Sequence, residues 1–208
     1  IFSHTVSKFP EQVALQNKSD NQWLKLTYKD LESSAKKIAT FLIKAGFKKG
    51  DFAIIILENR LEWPQVYLGI MYAGLIAVPL DPQLSLQEIS NLIIDSQAKV
   101  IFCSDDIFIN KISAAIKGPL IKIVVLGLKD KCDKEAIDFC AIEAISAQID
   151  LLPDVAPQDI AALFYTSGTT ANPKGVLLTH QNLGSNFRSI SKLNICLPSD
   201  NFLSILPL

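Results

Sequence analysis

The sequence predicts an α/β fold, a mostly parallel sheet with helices on both faces. Three observations carry that expectation. Apolar runs such as Phe52-Ala53-Ile54-Ile55-Ile56-Leu57 have no polar position, which suits a strand covered on both sides. These runs alternate with helical patterns of about 10 to 15 residues, the order that builds a parallel sheet. No repeat of fixed period interrupts that order.

Ile1 to Phe9 reads as a short helix stopped by Pro10. Val13 to Gln16 and Trp23 to Leu26 read as an antiparallel hairpin across the polar turn Lys18 to Gln22. Thr27 with Asp30 forms a capping box that carries Asp in place of Glu. It opens a helix whose inward face is Leu31, Ala35, Ile38 and Leu42, and Gly46 closes it. Asp51 to Glu58 is a strand, Glu62 to Ala73 a helix ending near Gly74, and Leu75 to Leu80 a strand. After the turn at Asp81-Pro82, Ser85 and Glu88 form a second capping box, whose helix turns Ile89, Leu92 and Ile93 inward. Lys99 to Cys103 is a strand, Asp105 to Lys117 a helix and Ile121 to Leu126 a strand.

Lys129 to Gln148 shows only a weak helical pattern through Ile137, Ala141, Ala144 and Ile145. Leu152 to Pro157 is an extended connector. It divides an N-terminal α/β subdomain, residues 1–152, from the start of an adjoining one, residues 153–208. Strands Ile160 to Tyr165 and Val176 to Leu178 follow, then a helix from His180 to Ser191 and a last strand from Asn201 to Leu206. The chain stops abruptly at Pro207-Leu208, which reads as a fragment of a longer protein.

With 20 basic and 21 acidic residues in 208 and no basic stripe, the chain lacks the electrostatic footprint of a nucleic-acid binder. No charge falls between Trp63 and Leu80, a stretch near membrane-spanning length. Pro64, Gln65 and Pro79 confine its wholly apolar part to Val66 through Val78. That favours a buried helix followed by a strand in a soluble protein and leaves peripheral membrane contact open. The four cysteines form no CxxC pair and no zinc-like spacing. They read as small buried hydrophobes in a reducing, cytoplasmic setting.

The most informative stretch runs from Leu163 to Val176. An apolar strand breaks into Thr166-Ser167-Gly168-Thr169-Thr170, Asn172-Pro173 forces a turn, and Lys174-Gly175 leads into a second strand. Backbone N–H groups in a Gly-containing loop form an anion nest. Hydroxyls add donors and lysine adds a point charge suited to phosphate. A Walker A loop is excluded, because five residues separate Gly168 from Lys174 and Gly175-Val176 follows in place of Ser or Thr. The nine glycines never form a G-x-G-x-x-G fingerprint. A polyphosphate grip and a hydroxyl-rich surface turn both remain.

Tyr165-Thr166-Ser167-Gly168-Thr169-Thr170, followed by Pro173-Lys174-Gly175-Val176, resembles the signature loop of the adenylate-forming enzymes. Leu26 to Leu31, Gly50-Asp51, Leu57 to Trp63, Ala73 to Pro82 and Leu178 to Leu183 resemble other segments of that family, in its order. The resemblance implies the N-terminal portion of the acyl-CoA synthetase large-domain fold. It also implies a two-step reaction in which a carboxylate attacks ATP and the acyl-adenylate is then passed to a thiol. On that resemblance Thr166, Ser167, Gly168, Thr169, Thr170 and Lys174 grip phosphate, and Gly175 lets the backbone turn. Ala171 stands where the family usually has Gly, which predicts a stiffer loop or weaker nucleotide binding.

The family's adenine-stacking aromatic, its Mg²⁺-holding acid, its ribose Asp and its catalytic Lys would all lie beyond Leu208. No catalytic residue and no metal ligand is therefore expected in this chain, and it should not complete adenylation alone. Glu58-Asn59-Arg60 with Glu62-Trp63, and Asp159 onward, look most like fatty-acyl-CoA synthetases. That implies ATP, Mg²⁺ and CoA as cofactors, and a fatty acid or other carboxylate with CoA or an acyl carrier protein as partners. An acyl-AMP or carrier-protein ligase, an amino-acid adenylation domain and a non-catalytic nucleotide-binding relative are the alternatives. His180 reads as a packing or capping residue rather than a general base. Arg188 and Lys192 read as a solvated helix face.

Overall fold

In the computed structural model the chain is described over residues 1–19, 21–112, 122–127, 136–166, 173–193, 195 and 200–204. A short helix α1 (Phe2–Lys8) precedes an antiparallel pair, β1 (Val13–Ser19) and β2 (Gln22–Thr27). Their pairing continues to Ser19 opposite Gln22, so the turn is tighter than the polar run suggests. Thr27 Oγ1 then accepts the Asp30 amide while Asp30 Oδ2 accepts the Thr27 amide, both at 3.1 Å, and α2 (Tyr28–Lys44) begins. Gly46 ends it at φ +92°, a conformation that costs a residue with a Cβ about 1 kcal/mol.

The helical and strand runs that follow are β3 (Phe52–Ile56), α3 (Glu62–Tyr72), β4 (Ile76–Pro79), α4 (Leu86–Ser96) and β5 (Val100–Ser104). The second capping box forms as the sequence predicts. Next come a three-residue α5 (Asp105–Ile107), β6 (Lys122–Leu126), β7 (Ala136–Asp138), α6 (Phe139–Glu143), β8 (Ile160–Thr166), β9 (Lys174–Thr179) and α7 (His180–Ser191).

Side-chain alternation along the strands splits the core in two. Ala53, Ile55, Phe102 and Val124 face α2, α3 and α6 through Ile38, Leu42, Val66, Ile70, Phe139 and Ile142. Ile54, Ile56, Ile101, Cys103, Ile123, Val125 and Leu163 face α4 through Ile89, Leu92 and Ile93. Helices therefore cover both faces. The sheet runs β7-β6-β5-β3-β4-β8-β9, parallel throughout except for the antiparallel β8–β9 pair at one edge. That hairpin thus extends a parallel platform, and β8 joins the same sheet as the first 152 residues.

Four expectations change. The helix predicted from Asp105 to Lys117 is one α turn followed by a π-helical segment, Phe108–Ile112, and residues 113–121 lie outside the described set. Within the weakly helical Lys129 to Gln148, Ala136–Asp138 is a strand, with Ile137 opposite Val124. Three residues are too few for a period of two to be told from one of 3.6. Of the strand expected from Asn201 to Leu206, residues 201–204 form none, with Phe202 and Leu203 exposed, and residues 205–206 lie outside the described set. An apolar run becomes a strand only where a neighbour completes its ladder, and none does so among the described residues. Cys103 is buried as expected, but Cys140 is exposed because Phe139 and Ile142 take the inward positions of α6. Cys132 and Cys196 lie outside the described residues.

Candidate functional site

The candidate site is the hairpin of β8 and β9. Its strands pair from Ile160 opposite Thr179 to Thr166 opposite Lys174, so a hydroxyl-bearing residue and a lysine are cross-strand partners where the loop departs. Thr166 Oγ1 donates to the Lys174 carbonyl at 3.4 Å, and both residues are exposed. Among the described residues the Lys174 ammonium enters no ion pair. Ser167, Gly168, Thr169 and Thr170, like Ala171, lie outside the described residues. Of the seven predicted phosphate-site residues, the structure thus brings together Thr166, Lys174 and Gly175.

Gly175 does something other than what the sequence suggests. It is not in the left-handed region, so it does not ease a turn. It lies in β9 opposite Tyr165, where an added Cβ would come within 2.9 Å of Leu163 Cδ1 and 3.5 Å of Tyr165 Cε1. Its missing side chain makes room for the Leu163 and Tyr165 side chains over β9. Tyr165 uses that room to reach α4, donating its hydroxyl to Asp95 Oδ2 at 2.6 Å. Burial, and then the Asp95 carboxylate, push the phenol's pKa well above its ordinary value.

The other end of the hairpin is held by Asp159. Its Oδ2 accepts the Lys49 ammonium at 2.7 Å and the Ala156 amide at 2.6 Å, and its carbonyl accepts the His180 amide at 3.0 Å. Lys49 also donates to the Asp154 carbonyl at 2.8 Å. The hydrogen bond from Lys49 is the first reason the Asp159 carboxyl titrates below its ordinary value. The turn before β3 and the connector are therefore tied to the Asp159 carboxylate, and the start of α7 to its backbone carbonyl. Sequence reading misses this clamp and the Tyr165–Asp95 link, because each joins residues far apart in the chain.

His180 opens α7 but does not cap it. Thr179 does, in a reciprocal box with Asn182. The imidazole Nε2 is buried with no hydrogen-bond partner among the described residues, and burial pushes its pKa below the ordinary 6.5 against the opposing pull of Asp159. Six strand steps separate it from Lys174, roughly 20 Å at about 3.3 Å per residue. That distance excludes it as a base for chemistry at the loop and leaves the packing role. A groove of about 1310 Å³ opens beside it between α1, α3, the connector and α7, lined in part by Trp63, Tyr67, Met71 and Phe187. Arg188 and Lys192 are exposed, as expected.

Comparison with known proteins gives the site a context. The family described as AMP-binding enzyme matches residues 2–208. A plipastatin synthase chain of Bacillus subtilis (strain 168) is 34% identical over 186 residues, covering 89% of this chain and 6% of that protein. The long-chain-fatty-acid–CoA ligase of the same strain is 30% identical over 210 residues, covering 89% of this chain and 37% of the ligase. Among solved structures, the fatty acyl-adenylate ligase from L. pneumophila, in complex with acyl adenylate and pyrophosphate, is 26% identical with a TM-score of 0.68. That match covers 92% of this chain and 31% of the other. The chain thus spans little more than a third of the ligase's length and far less of the synthase's.

Proposed function

The chain belongs to the AMP-binding enzyme family, and from that premise we propose that it is the N-terminal part of an ATP-dependent fatty-acyl-CoA synthetase. A fatty-acid carboxylate oxygen forms a bond to the α-phosphorus of ATP. The bond from that phosphorus to the β-phosphate's bridging oxygen breaks, and pyrophosphate leaves. The CoA thiolate then attacks the acyl carbon and AMP departs.

One observation carries this reading: the hairpin sets Thr166 and Lys174 opposite one another at the loop's root, the Lys174 ammonium in no ion pair among the described residues. A hydroxyl donor and a point cation suit an oxygen-rich anion in which charge accumulates as a bond breaks. Ser167, Gly168, Thr169 and Thr170 would complete the grip. Mg²⁺ bound with ATP supplies further charge neutralisation at the leaving phosphates. Among the described residues no cluster of three His, Cys, Asp or Glu is placed to hold a metal.

The likeness to the long-chain-fatty-acid–CoA ligase supports a fatty acid, and the likeness to plipastatin synthase supports amino-acid adenylation as the second reading. A cytoplasmic enzyme that touches membranes, where its fatty acid partitions, fits the first. Among the described residues no helix is long and apolar enough to cross a membrane. ATP–pyrophosphate exchange in the natural protein, run against fatty acids of graded length and the amino acids, is the test. Exchange with long acids and acyl-CoA formation on adding CoA is the expected result. Exchange with amino acids alone selects the second reading, acyl-adenylate without acyl-CoA selects an acyl-AMP or carrier-protein ligase, and no exchange with any acid marks a non-catalytic relative.

A further inference from the structure

We propose that Tyr165 and Asp95 are a positioning pair that aims the phosphate loop, a role that rests on the ATP-dependent reading above. Tyr165 is the last residue before Thr166, where the loop departs, and its hydroxyl meets Asp95 Oδ2 at 2.6 Å. The hairpin needs such a link. β9 is the edge strand of the sheet, and β8 registers with β4 at Ala162 opposite Ala77 alone. From Ala162 toward the loop, β8 is laddered only with β9, which has no further strand beyond it among the described residues.

Asp95 offers a firm post. It lies in the last turn of α4, whose inward face buries Ile89, Leu92 and Ile93 and whose first turn is locked by Ser85 and Glu88. The ring of Tyr165 packs against the same half of the core, in the space that Gly175 leaves open. A hydroxyl donating to a carboxylate is the strong, short kind of hydrogen bond. Because burial and the carboxylate both hold the phenol protonated, the link persists through the physiological pH range. Where the root is held, nucleotide binding need not order it, and that saving appears in ATP affinity.

The test is the steady-state rate of the natural protein against ATP concentration. Tyr165→Phe and Asp95→Asn each raise KM for ATP about tenfold with kcat within about twofold of wild type. The double variant is no worse than Tyr165→Phe alone, since Phe has no hydroxyl to donate, and Asn, which can still accept one, weakens that same bond by losing its charge. Asp95→Glu, which keeps a carboxylate, recovers part of the loss. KM values within about twofold of wild type in both single variants, or additive losses in the double, overturn the pair. If Tyr165→Phe does not fold, Asp95→Asn against Asp95→Glu on the exposed side of α4 decides by the same KM criterion. A wild-type protein without ATP–pyrophosphate exchange defeats the ligase reading instead. Amide hydrogen exchange then judges the pair: Asp95→Asn speeds exchange at residues 163–166 and 174–176 about tenfold, and an unchanged rate overturns it.

Discussion

At the scale of single residues, side chains that act alone are readable in the sequence and side chains that act in pairs are not. Thr166 and Lys174 announce themselves by chemical type beside a turn, and the fold sets them together. Asp95 is an ordinary acid on a helix until Tyr165 reaches it, and Asp159 becomes a clamp only once Lys49 arrives from a distant turn. Gly175 is readable as a necessary glycine but not for its reason, which is the bulk of two neighbouring side chains. Ala171 keeps its interest as a departure from the family's glycine. Ala171→Gly should leave ATP affinity equal or improved, measured by calorimetric titration, and a clear loss of affinity sinks that idea. His180 gives a pH signature. Its folded-state pKa lies below 6.5, so the unfolded chain binds more protons in that window. Its contribution is fully present above 6.5 and is lost as pH falls from there toward the folded-state value. Melting temperatures of His180→Gln should therefore decline less than wild type between about pH 7 and pH 5.

At the scale of elements, boundaries that carry their own chemistry are legible. Thr27 with Asp30 and Ser85 with Glu88 start α2 and α4 where the sequence places them. Elements defined by a neighbour are not: β7 exists because β6 offers a free edge, and residues 201–204 join no strand ladder among the described residues. A close contact between helices also lacks a sequence signal. Gly69 on α3 lies so near α2 that a Cβ there would stand 2.6 Å from Ile38 Cβ and 3.0 Å from the Ala35 carbonyl. Neither is the movable end of a side chain. Gly69→Ala should therefore destabilise the fold by about 1–3 kcal/mol, read from denaturant midpoints, despite the better helix propensity of alanine. A midpoint equal to or above wild type defeats that account.

At the scale of the whole molecule, the α/β class and the parallel order follow from the alternation of apolar runs and helices, and the sheet has that order. Less legible is the reversal at its edge, where β9 turns back antiparallel to β8. Both strands are short and apolar, and direction is set by the connection between them rather than by composition. The division between residues 1–152 and 153–208 remains a proposal about the longer protein. Within this chain β8 joins the sheet that the earlier part builds. Because the chain holds one side of the proposed site, the 208 residues alone should release no pyrophosphate above background with ATP and any carboxylate. Turnover by this polypeptide alone would falsify the half-site reading.

The unequal pairing of β8 has a consequence in time. β8 and β9 meet across a loop short enough to close within about a microsecond, whereas β8 reaches β4 only by closing a loop of more than about 80 residues. The loop's two walls should therefore zip together before they dock, and the end proposed to grip phosphate would be shaped locally and then delivered to its platform. Leu178→Ala should slow folding, while Ala77→Gly should chiefly hasten unfolding, a contrast visible in the two arms of a chevron plot. Equal effects on the folding arm would mean that the hairpin and its platform form together.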